Sequence, residues 1–113
     1  MKKIEAIIKP FKLDEVRSAL TGLGVNEMTI SEVENCGRRH GVSKRFQGRE
    51  YLANFYPKIK MEIMVADALS GVVSAAIVEA ARCGTSGDGT IFISQVEEAI
   101  DFRTREKVEL AVC

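Results

Sequence analysis

The sequence predicts an α+β fold in which a strand–helix–strand unit occurs twice, the copies separated by one long polar loop. Three observations carry that expectation. An alternating apolar pattern at the N-terminus returns after Lys58, each such strand is followed by a helical period, and the stretch 37–55 obeys neither rule. At 113 residues, 46% of them hydrophobic, the chain has material for one core and no second one, so 1–113 reads as a single domain.

Lys3 to Lys9 alternates and is rich in isoleucine, which reads as a strand ending at Pro10. Its two faces are Ile4, Ala6 and Ile8 against Glu5, Ile7 and Lys9. Leu13, Val16, Ala19, Leu20 and Leu23 then fall at helical spacing, with Asp14 and Glu15 in the first turn and Gly24 as the stop. From Met28 the alternation resumes, with Met28, Ile30 and Glu32 on one face and Thr29, Ser31 and Val33 on the other, extending to Cys36. Between 37 and 55, Gly37, Gly41 and Gly48 are scattered among Arg38, Arg39, His40, Lys44, Arg45 and Arg49, with Phe46 and Tyr51 as isolated aromatics. A loop that long inside a small domain points to function. After Lys58 the residues Lys58, Lys60, Glu62 and Met64 alternate with Ile59, Met61, Ile63 and Val65. Leu69 to Ala81 is helix-like, with Val72, Val73, Ala76, Ile77 and Ala80 on one side. A glycine-rich turn, Gly84 to Gly89, leads to a short strand at Ile91 to Ser94, and a charged tail follows over 96–113. This order, βαββαβ, is the ferredoxin-like arrangement: a four-stranded antiparallel sheet with two helices on one face. The chain has no third helix for the other face, so association through that face is expected.

Sixteen basic residues balance sixteen acidic ones, leaving no overall field for nucleic acid or an anionic membrane. No apolar run approaches a membrane span, and Met1 to Ile4 enters the first strand without a signal-peptide pattern. Cys36, Cys83 and Cys113 form no CxxC pair, which suits reduced thiols in a cytoplasmic protein; Cys36 and Cys83 are expected to fill core or helix-end positions. The single histidine, His40, has no partner at catalytic spacing, and no HExxH, GxSxG or Walker sequence occurs. The expectation is a protein that is not an enzyme and holds no metal. The turn Gly84-Thr85-Ser86-Gly87-Asp88-Gly89 exposes successive backbone N–H groups of the kind that surround phosphates. Taken alone, it reads as a glycine-rich connector before it reads as a phosphate cradle. Tyr51, in a polar basic stretch, is either a contact residue, a modification site or an incidental surface tyrosine.

The opening run Met1 to Val16 resembles that of PII nitrogen-regulatory proteins. The likeness continues through Met28-Thr29, Glu32-Val33, Gly37-Arg38, Gly48, Glu50-Tyr51, Phe55, Pro57-Lys58, Gly87-Asp88-Gly89, Ile91-Phe92 and Arg103-Thr104. The resemblance implies a homotrimer with nucleotide sites in the clefts between subunits. Residues 37–55 resemble the family's T-loop, which docks on a target such as a membrane transporter or a metabolic enzyme. Residues 82–90 resemble its phosphate-holding B-loop. By the same resemblance Ile7, Met64 and the Thr29 hydroxyl frame an adenine, Met28 belongs to the nucleotide site, and Glu62 faces the ribose. Gly37, Arg38, Gly87, Asp88, Gly89 and Thr90 lie at the phosphates, with Arg103 reaching them from a neighbouring subunit. Lys58 matches a lysine that pairs with 2-oxoglutarate, and Tyr51 a tyrosine that some members carry as a uridylylation site.

The chain departs from that pattern at informative positions. Arg39 stands where most members have a glutamine that helps to hold Mg²⁺ between ATP and 2-oxoglutarate, and a guanidinium has no acceptor to offer a metal. Thr85 and Thr90 stand where lysines are usual, and Asp101 where an arginine is usual. Fewer phosphate-facing cations disfavour the triphosphate most. The expectation is therefore a regulator with ADP, AMP or ATP as a regulatory ligand and no obligatory cofactor, favouring ADP or AMP over Mg-ATP, and weakly responsive to 2-oxoglutarate. The alternative is a trimeric interaction adaptor with a degenerate nucleotide site.

Overall fold

The computed structural model describes residues 1–37, 44–46, 49–51, 54–85 and 87–108. In chain order its elements are β1 (Lys2–Ile8), α1 (Leu13–Gly22), β2 (Thr29–Gly37), β3 (Lys44–Phe46), β4 (Arg49–Tyr51), β5 (Asn54–Val65), α2 (Ser70–Ala81) and β6 (Gly89–Gln95). Short 3₁₀ turns at Pro10–Lys12 and Asp67–Leu69 feed the two helices. Strands β2, β5, β1 and β6 lie side by side in that order, every neighbouring pair antiparallel. This is the ferredoxin-like sheet.

Period-2 patterning decides which face is covered. Ile4, Ala6 and Ile8 of β1 pair directly with Ile63, Met61 and Ile59 of β5, and all six are buried beneath the helices. Val16 and Leu20 of α1 and Val73, Ile77 and Ala81 of α2 complete the core, with Val25 and Val65 at its margins. Each of these larger aliphatic side chains contributes about 1.5–3 kcal/mol by leaving water. The helix α1 ends where Gly24 takes φ 85°, and the Leu23 and Gly24 amides close on the Leu20 and Thr21 carbonyls.

Three expectations need correction. Val72 is exposed while Ala81 is buried: the inward stripe of α2 runs Val73, Ile77, Ala81, one residue every four, and Val72 stands to its side. Cys36 is not a core residue, because β2 is an edge strand whose final residues Glu34, Asn35 and Cys36 are exposed. Cys83, by contrast, lies at a helix end as expected, directly after the C-cap of α2, where it is exposed. Finally, the stretch that fits neither period in the sequence contains regular structure. β2 continues to Gly37, β5 begins at Asn54 rather than Lys58, and β3 pairs antiparallel with β4 through Lys44↔Tyr51, Arg45↔Glu50 and Phe46↔Arg49.

Beyond β6 the chain makes a tight turn. The Asp101 carboxylate accepts the Arg103 and Thr104 amides at 2.8 and 3.0 Å, Arg105 takes φ 61°, and Ile100 bridges Lys107. Among the described residues no helix is long and apolar enough to cross a membrane.

Candidate functional site: a braced glycine loop beside the open sheet face

The connection from α2 to β6 is organised by one side chain. Asp88 accepts the backbone amides of Cys83 at 2.8 Å and Gly84 at 2.9 Å through one carboxylate oxygen. Its other oxygen takes the Thr85 hydroxyl at 3.1 Å and lies 3.2 Å from the Lys9 ammonium. The Cys83 amide above all, then Lys9, the Gly84 amide and the Thr85 hydroxyl, hold this carboxyl far below the usual range against the opposing effect of partial desolvation. Lys9 also donates to the Thr85 hydroxyl at 2.8 Å. From the neighbouring strand the buried Lys58 donates to the Gly87 carbonyl at 2.6 Å. Two lysines, Lys9 just past the end of β1 and Lys58 in β5, thus grip the loop by its acceptors.

The glycines answer steric demands at two points. Gly87 takes φ 82°, a conformation that L side chains rarely adopt. At Gly89 a Cβ would lie 2.0 Å from the Ile7 carbonyl oxygen, so the loop and β1 approach closely only because that position has no side chain.

The uncovered sheet face carries the second part of the site. Register puts Thr29 beside Glu62, Glu62 beside Glu5, and Glu5 beside Phe92; the adjacent row is Ser31, Lys60, Ile7 and Thr90. Met64 lies one row further along, opposite Lys3. Lys3 reaches both Glu5 at 2.9 Å and Glu62 at 3.1 Å, and Lys60 lies 3.4 Å from Glu62. The Lys3 hydrogen bond holds the Glu62 carboxyl below its ordinary value, with Lys60 assisting, while Glu5 first and Glu62 second raise the Lys3 ammonium.

Ile7, Thr29, Glu62, Met64 and Thr90 therefore share one sheet face, and Gly89, opposite Ile8, brings the glycine loop to its flank. Met28 packs instead against the core. Gly37 ends β2, opposite Asn54. Arg38 and Arg39 lie outside the described residues, as does Ser86; Tyr51 belongs to β4. Arg103 is exposed in the turn after Asp101. Among the described residues no three His, Cys, Asp or Glu side chains gather as a metal site would require. A cleft of about 120 Å³ reaches Asp88 and Gly89 between α2 and β1, lined by Ile8, Ile77, Val78 and Ala81. It is smaller than the roughly 300 Å³ at which small-molecule pockets begin.

The sequence reading missed Lys9, taken only as the last residue of a strand. The available signal was its parity: it follows Glu5 and Ile7 on the open face, at the end of the strand nearest the glycine turn.

Fold and loop together define a ferredoxin-like α+β domain whose second sheet face is polar, uncovered and flanked by a preorganised glycine turn. The family described as "Nitrogen regulatory protein P-II" matches residues 1–106. Proteins of that name from Haemophilus influenzae and Nostoc punctiforme are 49% and 52% identical to this chain over 112 residues, covering 99% of it and 100% of each relative. The chain belongs to the nitrogen regulatory protein P-II family, a family of signal-transduction regulators.

Proposed function

We propose that this chain is a PII-type regulator that assembles as a homotrimer, binds adenine nucleotides where subunits meet, and controls a cytoplasmic or membrane-bound target through residues 37–55. The observation that carries the proposal is the braced glycine loop beside a sheet face bearing Ile7, Thr29, Glu62, Met64 and Thr90. Such a loop offers main-chain donors to phosphoryl oxygens, and the face offers apolar and hydroxyl groups to a nucleoside. The reading takes the protein as a non-catalytic regulator whose target is a transporter or a metabolic enzyme, with the segments 82–90 and 96–113 serving ligand and neighbour.

ADP or AMP is the favoured ligand over Mg-ATP. Residues 83–90 contain no lysine or arginine, so little charge is available there to balance a third phosphate. A weak response to 2-oxoglutarate fits Lys58, whose ammonium is engaged with the Gly87 carbonyl. Arg39, where the family carries a metal-binding amide, supports the same preference. Calorimetry with AMP, ADP and ATP, each with and without Mg²⁺ and 2-oxoglutarate, tests the proposal. Tight Mg²⁺-dependent ATP binding enhanced by 2-oxoglutarate would refute the stated preference. Uridylylation of Tyr51 belongs to the same proposal and is read by intact mass after incubation with a uridylyltransferase.

A second reading, an adaptor with a degenerate site, draws support from Glu62, already paired with Lys3 and Lys60, and from Asp101, whose carboxylate serves its own turn. Addition of ADP separates the two readings, because a ligand selective for the folded state raises the melting temperature and an adaptor is indifferent.

A further inference from the structure

We propose that Lys9 is the positioning residue of the glycine loop: it neutralises Asp88 and clasps Thr85, so that the loop offers backbone donors to a phosphate-bearing ligand instead of an unbalanced carboxylate. The inference rests on the proposed nucleotide reading and adds to it a residue that makes no ligand contact.

Asp88 is the only formally charged residue between 83 and 90. It organises the turn, since one of its oxygens collects the Cys83 and Gly84 amides at the exit of α2. Yet a carboxylate at the centre of a phosphate loop repels the ligand that the loop is to hold. Compensation comes from outside the loop. The Lys9 ammonium is 3.2 Å from one Asp88 oxygen and 2.8 Å from the Thr85 hydroxyl, and both partners of the ion pair are only 22% exposed. Lys9 is fixed in its turn because it directly follows β1 and precedes the rigid Pro10, while its carbonyl accepts the Lys12 amide at 3.0 Å. Lys58 braces the same loop at the Gly87 carbonyl. The cations that make this turn hospitable to an anion thus come from outside the loop, one just past β1 and one in β5.

The test compares wild type, Lys9→Met, Lys9→Arg and the double variant Lys9→Met with Asp88→Asn, each checked for folding by thermal denaturation and titrated with ADP and with adenosine. Lys9→Met is expected to weaken ADP binding about tenfold while leaving adenosine nearly unaffected. Lys9→Arg should retain most of the affinity, and the double variant should regain part of it, because the exposed negative charge is gone. ADP affinity unchanged in Lys9→Met, or ADP and adenosine weakened alike, overturns the role of Lys9. Amide hydrogen exchange in the ligand-free protein keeps this inference separate from the functional reading. A wild type that binds no adenylate refutes that reading, whereas Cys83 and Gly84 amides that exchange no faster in Lys9→Met refute the positioning role.

Discussion

At Gly89 a single hydrogen atom in place of a side chain lets the glycine loop lie against β1. Gly89→Ala would place a methyl group 2.0 Å from the Ile7 carbonyl oxygen, at a backbone φ of 139° that alanine resists. The expected loss is about 3 kcal/mol, read as a lower urea midpoint with an unchanged slope. Asp88 makes a pH prediction at the same scale. Its folded-state pKa is depressed below the ordinary 3.8, so the stability it confers is present above that value and is lost as pH falls through the acid range below it. Glu62 and Asp67 are depressed too, by Lys3 and by the N-terminal ammonium respectively, and add to the same acid limb. Asp88→Asn should flatten that limb in a denaturation series from pH 6 downward; an unaltered profile would mean that Asp88 is not held as described. The glycines and the acid of this turn were legible in the sequence as a pattern. The atoms that hold it were not, since the braces Lys9 and Lys58 come from positions 79 and 30 residues away from Asp88, and only the folded register brings them in.

Elements were readable where they were long enough to show a period. β1, α1, the second half of β5 and α2 announced themselves because each buries a stripe whose spacing matches its backbone geometry. For α2 the phase of that stripe is itself testable. Ile77→Ala, at a fully covered position, should cost about 2–5 kcal/mol, whereas Val72→Ala, on the exposed flank, should stay within about 0.5 kcal/mol in the same chemical denaturation. Equal losses would reverse the assignment of faces. β3 and β4 escaped detection because three residues cannot display a period. The early start of β5 was hidden by Pro57, a residue that argues against a central strand. The sheet accommodates it because β1 ends at Ile8, opposite Ile59, so that Pro57 has a neighbour only in β2, at Glu34. On its other side no ladder requires an N–H.

The whole molecule presents a sheet with one face under helices and one without. That asymmetry was legible from element count alone, and the bare face carries polar residues interrupted by Ile7, Met64 and Phe92. Phe92 is 57% exposed there in a single chain. Light scattering should give three times the 12.4 kDa chain mass, and Phe92→Glu should shift the protein toward lower mass by burying a charge in the contact. A wild type that scatters as one chain would defeat the trimeric reading. The target's identity was never in the sequence, because recognition depends on a surface that only the partner can define.

Gly37 and Asn54 face each other as the last rung of the β2–β5 ladder, so the chain departs from the scaffold and rejoins it at adjacent points. Between ends held that close, a flexible connection lengthens at only about 0.6 kcal/mol per doubling. A change of length there therefore leaves the register of the four sheet strands, β2, β5, β1 and β6, as it is.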